Sequence, residues 1–384
     1  MTTNNNTGKV DIDKAGAILE NLVSNTVTEK VGKSIQQLLK TLTDDDRSLV
    51  MDADTEVTQA DPVIIIDGVP VAREGDIVAV KGAEKVGKSQ FAALLAAAVI
   101  SPRAIGGQIW VPDGRKMIIF DTEQTEYSIK ARMMRGIRTA AREDPTITSS
   151  YTPNGEFIYV KLRDKNTTER LATMRRVIAA IDPNIVYIDG VVQLLRDFND
   201  VREAADAMDA LKAITTGSDF HPRVLVGVLH SNPTDTLSAE EKKMRGHIGT
   251  MLAQSAQSVI ALSRKSDAGG NSVFTAKTPY VRDEKDTGLS FAIRRSGVVD
   301  YFETQEDPET TALRDMFTQV AEIADKNKKT LTKAYIVQLL TSEVKDPRTG
   351  ATAKKSKAYD LMAKAVALKF LEEHDGRYYF DAHR

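Results

Sequence analysis

The chain has 384 residues, 41% of them hydrophobic and 28% charged, with a formal net charge of −2. This balance fits a globular protein and excludes the global basic surplus of a DNA-coating protein, so any nucleic-acid contact must come from local patches. The absence of cysteine excludes a disulfide scaffold, a thiolate metal site and cysteine catalysis.

The opening residues, MTTNNNTGKV, are polar and lack the apolar stretch of a signal peptide. Residues 1–60 are expected to form a flexible N-terminus followed by a helical arm. Ile18, Leu19, Leu22, Val23, Ile35, Leu38 and Leu39 recur there at helical spacing. Such an arm either docks on a neighbouring subunit or caps its own core. The longest apolar run, Phe91 to Ile100, falls far short of the roughly 20 residues that span a bilayer. The expectation is a cytoplasmic protein that does not touch membrane.

Residues 61–305 alternate strand-like and helix-like stretches. Pro62 to Arg73 reads as a hairpin turned at Asp67-Gly68. Asp76 to Lys81 (DIVAVK) is an apolar strand, followed by GAEKVGKS at Gly82 to Ser89 and then by the Ala- and Leu-rich helix QFAALLAAAVI. Strand, glycine loop and helix in this order match the phosphate-binding G-x-x-x-x-G-K-[ST] loop. Gly82 and Gly87 allow close approach to phosphate, and the N–H groups across Glu84, Lys85, Val86, Gly87, Lys88, Ser89 and Gln90 line an anion site at a helix N-terminus. Lys88 supplies charge to the outer phosphates, and the Ser89 hydroxyl is placed to hold magnesium. The chain is therefore expected to bind a nucleoside triphosphate. ATP is the default, since no N-K-x-D motif follows a strand.

Further strands are expected at 116–121, 157–162, 185–189 and 224–230, with amphipathic helices near 126–142, 167–181 and 201–216. This alternation predicts an α/β fold with a largely parallel sheet covered on both faces. After Gln257 the segments SVIALS, SVFTAK and SFAIRR predict antiparallel meanders. Asp189, ending an apolar strand, is the expected second magnesium ligand, the Walker B residue. The next residue is Gly190, so the water-activating carboxylate cannot stand there. Asp121 and Glu123, at the nucleotide edge of the strand after the P-loop helix, supply the alternative. They either work on the attacking water, with Glu123 preferred, or cap the next helix. His230, ending the following strand beside Ser231 and Asn232, is a γ-phosphate sensor or a structural histidine.

Residues 310–384 shift in composition, and 311–384 hold 14 Lys and Arg against 10 Asp and Glu. Helices expected at 311–325, 332–342 and 356–372, then a hairpin at Leu371 to Phe380 turned at Asp375-Gly376, follow the order of a winged-helix module. Lys354, Lys355 and Lys357 would start its recognition helix. The alternative is a tail that packs on the core or binds protein.

In combination these features resemble the RecA-type P-loop ATPases, in particular the RepA-like and DnaB-like hexameric helicases and the AAA-25-type ATPases of bacterial mobile elements. The resemblance covers about residues 60–303. It rests on the Walker A loop, FDTE at 120–123, YIDG at 187–190, VLHSNP at 228–233, RGHIGT at 245–250, AQSVIAL at 256–262 and TPYVRDEKDTGLSFAI at 278–293. It implies a RecA-like core, hydrolysis of ATP with Mg2+, Glu123 as catalytic carboxylate and His230 as sensor. It further implies a homo-oligomer, a hexamer, in which Lys277 or Arg282 completes the neighbour's site. The loops after the Walker B and sensor strands would line a channel for single-stranded DNA, bringing Arg196, Lys242, Lys243 and Arg245 to the phosphates. The implied role is a helicase or translocase in replication or mobilisation of an element, partnered by its initiator or primase. A DNA-binding regulator or loader without processive unwinding is the other reading.

Overall fold

The structure is a computed structural model that describes residues 40–51, 55–147, 155–216, 222–232, 237–267, 271–282, 287–296, 299–305, 308–368 and 370–380. Contacts divide the chain into a first unit, residues 1–59, and a second, residues 60–384. In the first unit the described part contains one helical turn, Asp44–Ser48, capped by the Thr43 side chain, which accepts from Asp46 N. The expected helical arm before it lies outside the described residues.

The second unit opens with β1 (Pro62–Ile66) and β2 (Val69–Arg73). Their turn at Asp67 and Gly68 has φ of 50° and 75°, the left-handed pair that matches the twist of a two-residue hairpin. In chain order there follow β3 (Ile77–Gly82), α1 (Lys88–Ile100), β4 (Ile109–Trp110), β5 (Met117–Asp121), α2 (Glu126–Glu143), β6 (Phe157–Lys161), α3 (Thr167–Ile181) and β7 (Ile185–Asp189). Then come α4 (Val201–Thr215), β8 (Val224–His230), α5 (Gly246–Ser255), β9 (Ser258–Ser266), β10 (Ser272–Val281), β11 (Thr287–Ser296) and β12 (Val299–Gln305).

Nine strands join in one sheet, in the order β12-β11-β10-β9-β3-β8-β7-β5-β6. From β9 to β6 every pair is parallel, and from β9 to β12 every pair is antiparallel. The expected parallel core with a terminal meander is therefore what forms. The parallel strands read as continuous apolar runs because both faces are covered. Their period of two sorts them into two cores. Val78, Val80, Ile119, Tyr187 and Val226 face α1 and α2, whereas Ile77, Ala79, Ile118, Phe120, Ile188 and Leu225 face α3, α4 and α5.

Helix α1 is buried from Phe91 to Ile100 on every side. It lies between the sheet and α2, where a Cβ on Gly136 would stand 2.8 Å from the Ala93 carbonyl. Small alanines permit this double packing, which explains why the helix has no polar face. Helix α5 is unmarked in the sequence because GHIGTMLAQS carries two glycines and its N-cap, Arg245, makes no side-chain cap.

At the C-terminal end lie α6 (Pro308–Lys326), α7 (Lys333–Ser342), α8 (Lys355–Ala367) and the hairpin β13 (Leu371–His374) and β14 (Arg377–Phe380). Their turn at Asp375-Gly376 is again left-handed at both positions. They share an apolar core containing Phe317, Ile336, Leu340, Met362, Phe370 and Leu371. Thr332, between α6 and α7, bridges antiparallel to Arg377. The last helix ends at Ala367 rather than 372, because Phe370 and Leu371 turn into this core and Leu371 begins β13. Glu309, at the start of α6, ties the region to β9. It pairs with Lys265, with Lys364 at 3.3 Å and with Arg348 at 3.8 Å. Among the described residues no helix is long and apolar enough to cross a membrane.

Candidate nucleotide site

The parallel strands β3, β8, β7 and β5 all end at one edge, and the functional side chains gather there. A cleft of about 640 Å³ at this edge is lined by Glu84, Lys85, Gly87, Lys88, Ser89, Gln90, Glu123, Gln124, Arg132, Asp189, His230 and Phe274. It thus joins the expected loop, catalytic, metal and sensor residues. Gly87, with φ 95°, caps α1 and lies against Phe274, where an added Cβ would come within 2.4 Å of the ring. Gly82 and Val86 sit behind the loop. A Cβ on Gly82 would stand 2.6 Å from Val86 Cγ2 and 2.9 Å from the Leu262 carbonyl, so this position requires glycine for packing.

Lys88 is engaged through all three ammonium donors. Nζ lies 3.1 Å from the Gly82 carbonyl, 2.6 Å from the Ala83 carbonyl and 3.2 Å from His230 Nδ1. Burial lowers its pKa, while Asp189, Glu123 and Glu84 oppose that shift. Since Lys88 donates, Nδ1 of His230 must accept, which leaves the proton on Nε2, facing Glu123 Oε1 at 3.9 Å. Burial first, and Lys88 second, push the His230 pKa down, so the ring is neutral at pH 7.

The Ser89 hydroxyl donates to Asp189 Oδ2 at 2.6 Å. Asp189 is only 5% exposed, and burial together with the nearby Asp121 and Glu123 raises its pKa to about 6 despite the Ser89 bond. A hydroxyl and a carboxylate crowded by like charges are a fitting donor set for Mg2+. Among the described residues no cluster of three His, Asp or Glu is arranged to hold a metal alone, so the cation would share its ligands with phosphate oxygens.

Neither Asp121 nor Glu123 caps α2, whose N-cap is Thr125 with its side chain accepting from Ser128 N. Asp121, fully buried, accepts from the backbone N–H of Glu123 at 3.0 Å and of Gln124 at 2.7 Å, which fixes the turn after β5. Glu123 projects from that turn into the cleft. Thr122 donates to the Asp189 carbonyl at 2.8 Å, locking the turn to the end of β7. Gly190 has φ 94°, and a Cβ there would stand 2.5 Å from Thr122 Oγ1 and 3.2 Å from Glu123 Oε1.

Arg132 and Phe274 were not among the sequence candidates. Arg132 Nη2 donates to Gln124, while its buried Nε and Nη1 find no hydrogen-bond partner among the described residues. A signal existed: Arg132 interrupts the inward stripe of α2 formed by Ile129, Met133, Gly136 and Ile137, a place where a charge needs a reason.

Lys277 and Arg282 do not line this cleft. Lys277 stands mid-strand, level with Lys81 through Ala261, and its Nζ lies 3.7 Å from Glu240. Arg282 follows the end of β10 level with the start of β3, at the opposite edge of the sheet, where its N–H donates to the Gln257 carbonyl and Nε to Tyr280. Arg264 of β9, by contrast, is exposed at the nucleotide edge, with its guanidinium 6.0 Å from the Phe274 ring centre. The two loops beyond the cleft touch each other. Arg245 lies over the Phe198 ring at 4.9 Å, and the His247 N–H donates to the Phe198 carbonyl. Arg196, Lys243 and Arg245 are exposed, and Lys242 is half-buried. Lys354, Lys355 and Lys357 are exposed at the N-terminus of α8.

This sheet, with its glycine loop, paired Ser89 and Asp189, and Glu123 on the adjacent strand end, defines a RecA-like P-loop ATPase. The chain belongs to the AAA_25 family, described as an AAA domain, which matches residues 32–233. Among solved structures, a KaiC-like protein from the hyperthermophilic archaeon Pyrococcus horikoshii OT3 is similar at 15% identity over 62% of this chain and 93% of its own, with a TM-score of 0.39. No curated protein matches the chain.

Proposed function

We propose that the protein is an ATP- and Mg2+-dependent DNA translocase or helicase of RepA-like type, working as a ring, a hexamer, in replication or mobilisation of a mobile element. The observation that carries this reading is the junction of the cleft with two loops that present Arg196, Lys243 and Arg245 to solvent, among the acidic Asp197, Asp200, Glu240 and Glu241. The His230 carbonyl accepts from Arg245 N–H at 2.9 Å, and Arg245 lies on Phe198 of the loop after β7. A shift of the sensor residue therefore reaches both loops within one residue. Arg196, Lys242, Lys243 and Arg245 would meet single-stranded DNA through its phosphates, with Phe198 the aromatic under Arg245.

In hydrolysis Glu123 orients the attacking water and accepts its proton. Lys88 and Arg132 offset charge on the outer phosphates, and His230 reads the terminal phosphate from its neutral form. Ser89 and Asp189 would hold Mg2+, which would supply further charge neutralisation when bound. A basic residue from a neighbouring subunit would complete the site. Lys277 and Arg282 are the candidates from the sequence, and Arg264 joins them because it stands at the nucleotide edge.

The test is the ATPase rate with and without single-stranded DNA, on protein sized with ATP and Mg2+. Strong stimulation from a ring-sized assembly supports the reading, and a DNA-indifferent monomer or dimer defeats it. Mixing each finger variant (Lys277→Ala, Arg282→Ala, Arg264→Ala) with Glu123→Gln subunits then reads which residue acts in trans. Restored activity in the mixture identifies a shared site.

A regulator or loader without processive unwinding is the second reading, favoured by the C-terminal elements. Lys354, Lys355 and Lys357 crowd the N-terminal turn of α8, where positive charge opposes the helix dipole, so they do not serve helix stability. They suit a recognition helix of winged-helix type, with β13 and β14 as the wing.

A further inference from the structure

Strand β3 buries all six of its residues, and Lys81 is one of them, 7% exposed. It follows Ile77 and Ala79 on the face that packs in the α3–α4–α5 core. An unpaired ammonium there would be costly. Nζ instead donates to two backbone carbonyls, Glu240 at 2.5 Å and Lys242 at 2.8 Å, on the loop that leads from the sensor strand to α5. Glu240 is gripped a second time, since its carboxylate faces Lys277, which flanks Ala261 on the same sheet face. Backbone bonds tie the same loop to the end of β8. Asn232 N–H donates to the Lys243 carbonyl, Arg245 N–H to the His230 carbonyl, and Ser231 bridges Met244.

The next residue after Lys81 is Gly82, whose carbonyl accepts from Lys88 at 3.1 Å and from Ser231 N–H at 3.1 Å. All three donors of Lys88 are engaged, so taking a phosphate oxygen means releasing at least one of Gly82, Ala83 and His230. The strand end that feels this exchange is the one that holds Lys81.

We propose that Lys81 is a positioning residue that clamps the loop 238–245 to the P-loop strand, so that phosphate capture by Lys88 is passed to the loop through β3 as well as through His230. The clamp rests on the cleft being a nucleotide site and is independent of what the loop binds. Its two bonds go to backbone carbonyls, so the length and donors of residue 81 decide the clamp, and Glu240 is the loop side chain that adds to it.

The experiment is hydrogen–deuterium exchange over residues 237–245 of the full chain, with and without Mg2+ and the non-hydrolysable analogue AMP-PNP. Wild type, Lys81→Met and Lys81→Arg are compared, with analogue affinity and thermal midpoint measured alongside. In wild type, AMP-PNP alters exchange in the loop. Lys81→Met keeps analogue affinity, exchanges the loop at least about tenfold faster in the free protein, and loses the nucleotide response, while Lys81→Arg regains most of it. A Lys81→Met loop that exchanges and responds like wild type overturns the clamp. So does a loss of analogue affinity, which would make Lys81 part of the nucleotide site. Wild type that fails to bind AMP-PNP would instead defeat the nucleotide reading itself.

Should Lys81→Met not fold, the chain's lack of cysteine offers a second route. Spin labels on Lys243→Cys and on the exposed Arg175→Cys of α3, with Lys81 intact, must change separation when AMP-PNP binds. An unchanged separation overturns the proposal.

Discussion

A Cβ on Gly190 would stand 3.2 Å from Glu123 Oε1 and 2.5 Å from Thr122 Oγ1, so a side chain after the Walker B aspartate would crowd the turn that carries Glu123. Gly190 also holds φ 94°, where side chains are strained. The carboxylate that other P-loop ATPases place after the Walker B strand is excluded here by the same geometry that brings Glu123 in from β5. Gly190→Ala is expected to displace Glu123 and Thr122 together. The cost is about 1–3 kcal/mol of stability from backbone strain alone, with a larger loss of turnover than of nucleotide affinity. Thermal melts beside kcat and KM check this. An active, equally stable Gly190→Ala protein would show that Glu123 does not need its present position.

Glu123 and Lys88 separate chemistry from binding. Glu123→Gln keeps the size and the cleft but removes the proton acceptor, so kcat should fall by roughly 10²–10⁴-fold with nucleotide affinity retained. Lys88→Ala removes the charge on the outer phosphates and should weaken both binding and turnover. A titration with fluorescent ATP beside steady-state hydrolysis distinguishes them. Normal turnover by Glu123→Gln would remove it from the catalytic role.

How much of this could be read from the sequence follows from the range of each interaction. The glycine loop, the strand ending at Asp189 and the hairpin at Asp67-Gly68 are local patterns, and each forms where the pattern stands. Asp121 captures the turn N–H groups two and three residues on, which is local, whereas the approach of Glu123 to Gly190 and His230 depends on the ends of two other strands. Arg132 enters the cleft only because α2 packs across α1, and Phe274 because β10 lies two strands from β3 in space and nearly 200 residues away in sequence. Lys81 ends the apolar run DIVAVK, which by itself shows no partner for an ammonium. Only the return of the loop over it shows that it is buried. The placements of Lys277 and Arg282 likewise depend on the antiparallel register of β10, which the sequence does not print.

Asp189 gives a pH prediction with a definite sign. Its folded pKa, about 6, lies above the ordinary carboxylate value of 3.8. Between those values the folded protein holds a proton that the unfolded chain has lost. The group's contribution to stability is therefore full below about pH 4 and is lost as pH rises through 6, on the order of 3 kcal/mol in total. Asp189→Asn should raise the thermal midpoint of the nucleotide-free protein at pH 8 and change it little at pH 4. The same substitution should abolish the Mg2+-dependent part of nucleotide affinity. In wild type that part should weaken by about tenfold per pH unit below 6, as protons displace the cation. Melts across pH and nucleotide titrations with and without Mg2+ read both arms. A stability gain that is equal at pH 4 and pH 8 would contradict the assignment.

Arg132 carries the last prediction. Its Nε and Nη1 are buried without a partner among the described residues, an arrangement that costs stability unless an anion arrives to meet it. It lines the cleft beside Glu123, Gln124 and Asp189 and electrostatically favours the ionised form of Asp189. A donor aimed at developing charge on a transferring phosphoryl group is worth roughly 10²–10³-fold in kcat. Arg132→Ala should therefore lose turnover on that scale without losing stability, because the free protein sheds two unsatisfied donors. Arg132→Lys should recover only part of the rate, since one point charge cannot replace the fork of N–H groups. A structural arginine would behave in the opposite way, with a lower melting temperature and a normal rate for the protein that remains folded. Melting temperature and kcat measured on the same preparation decide between them.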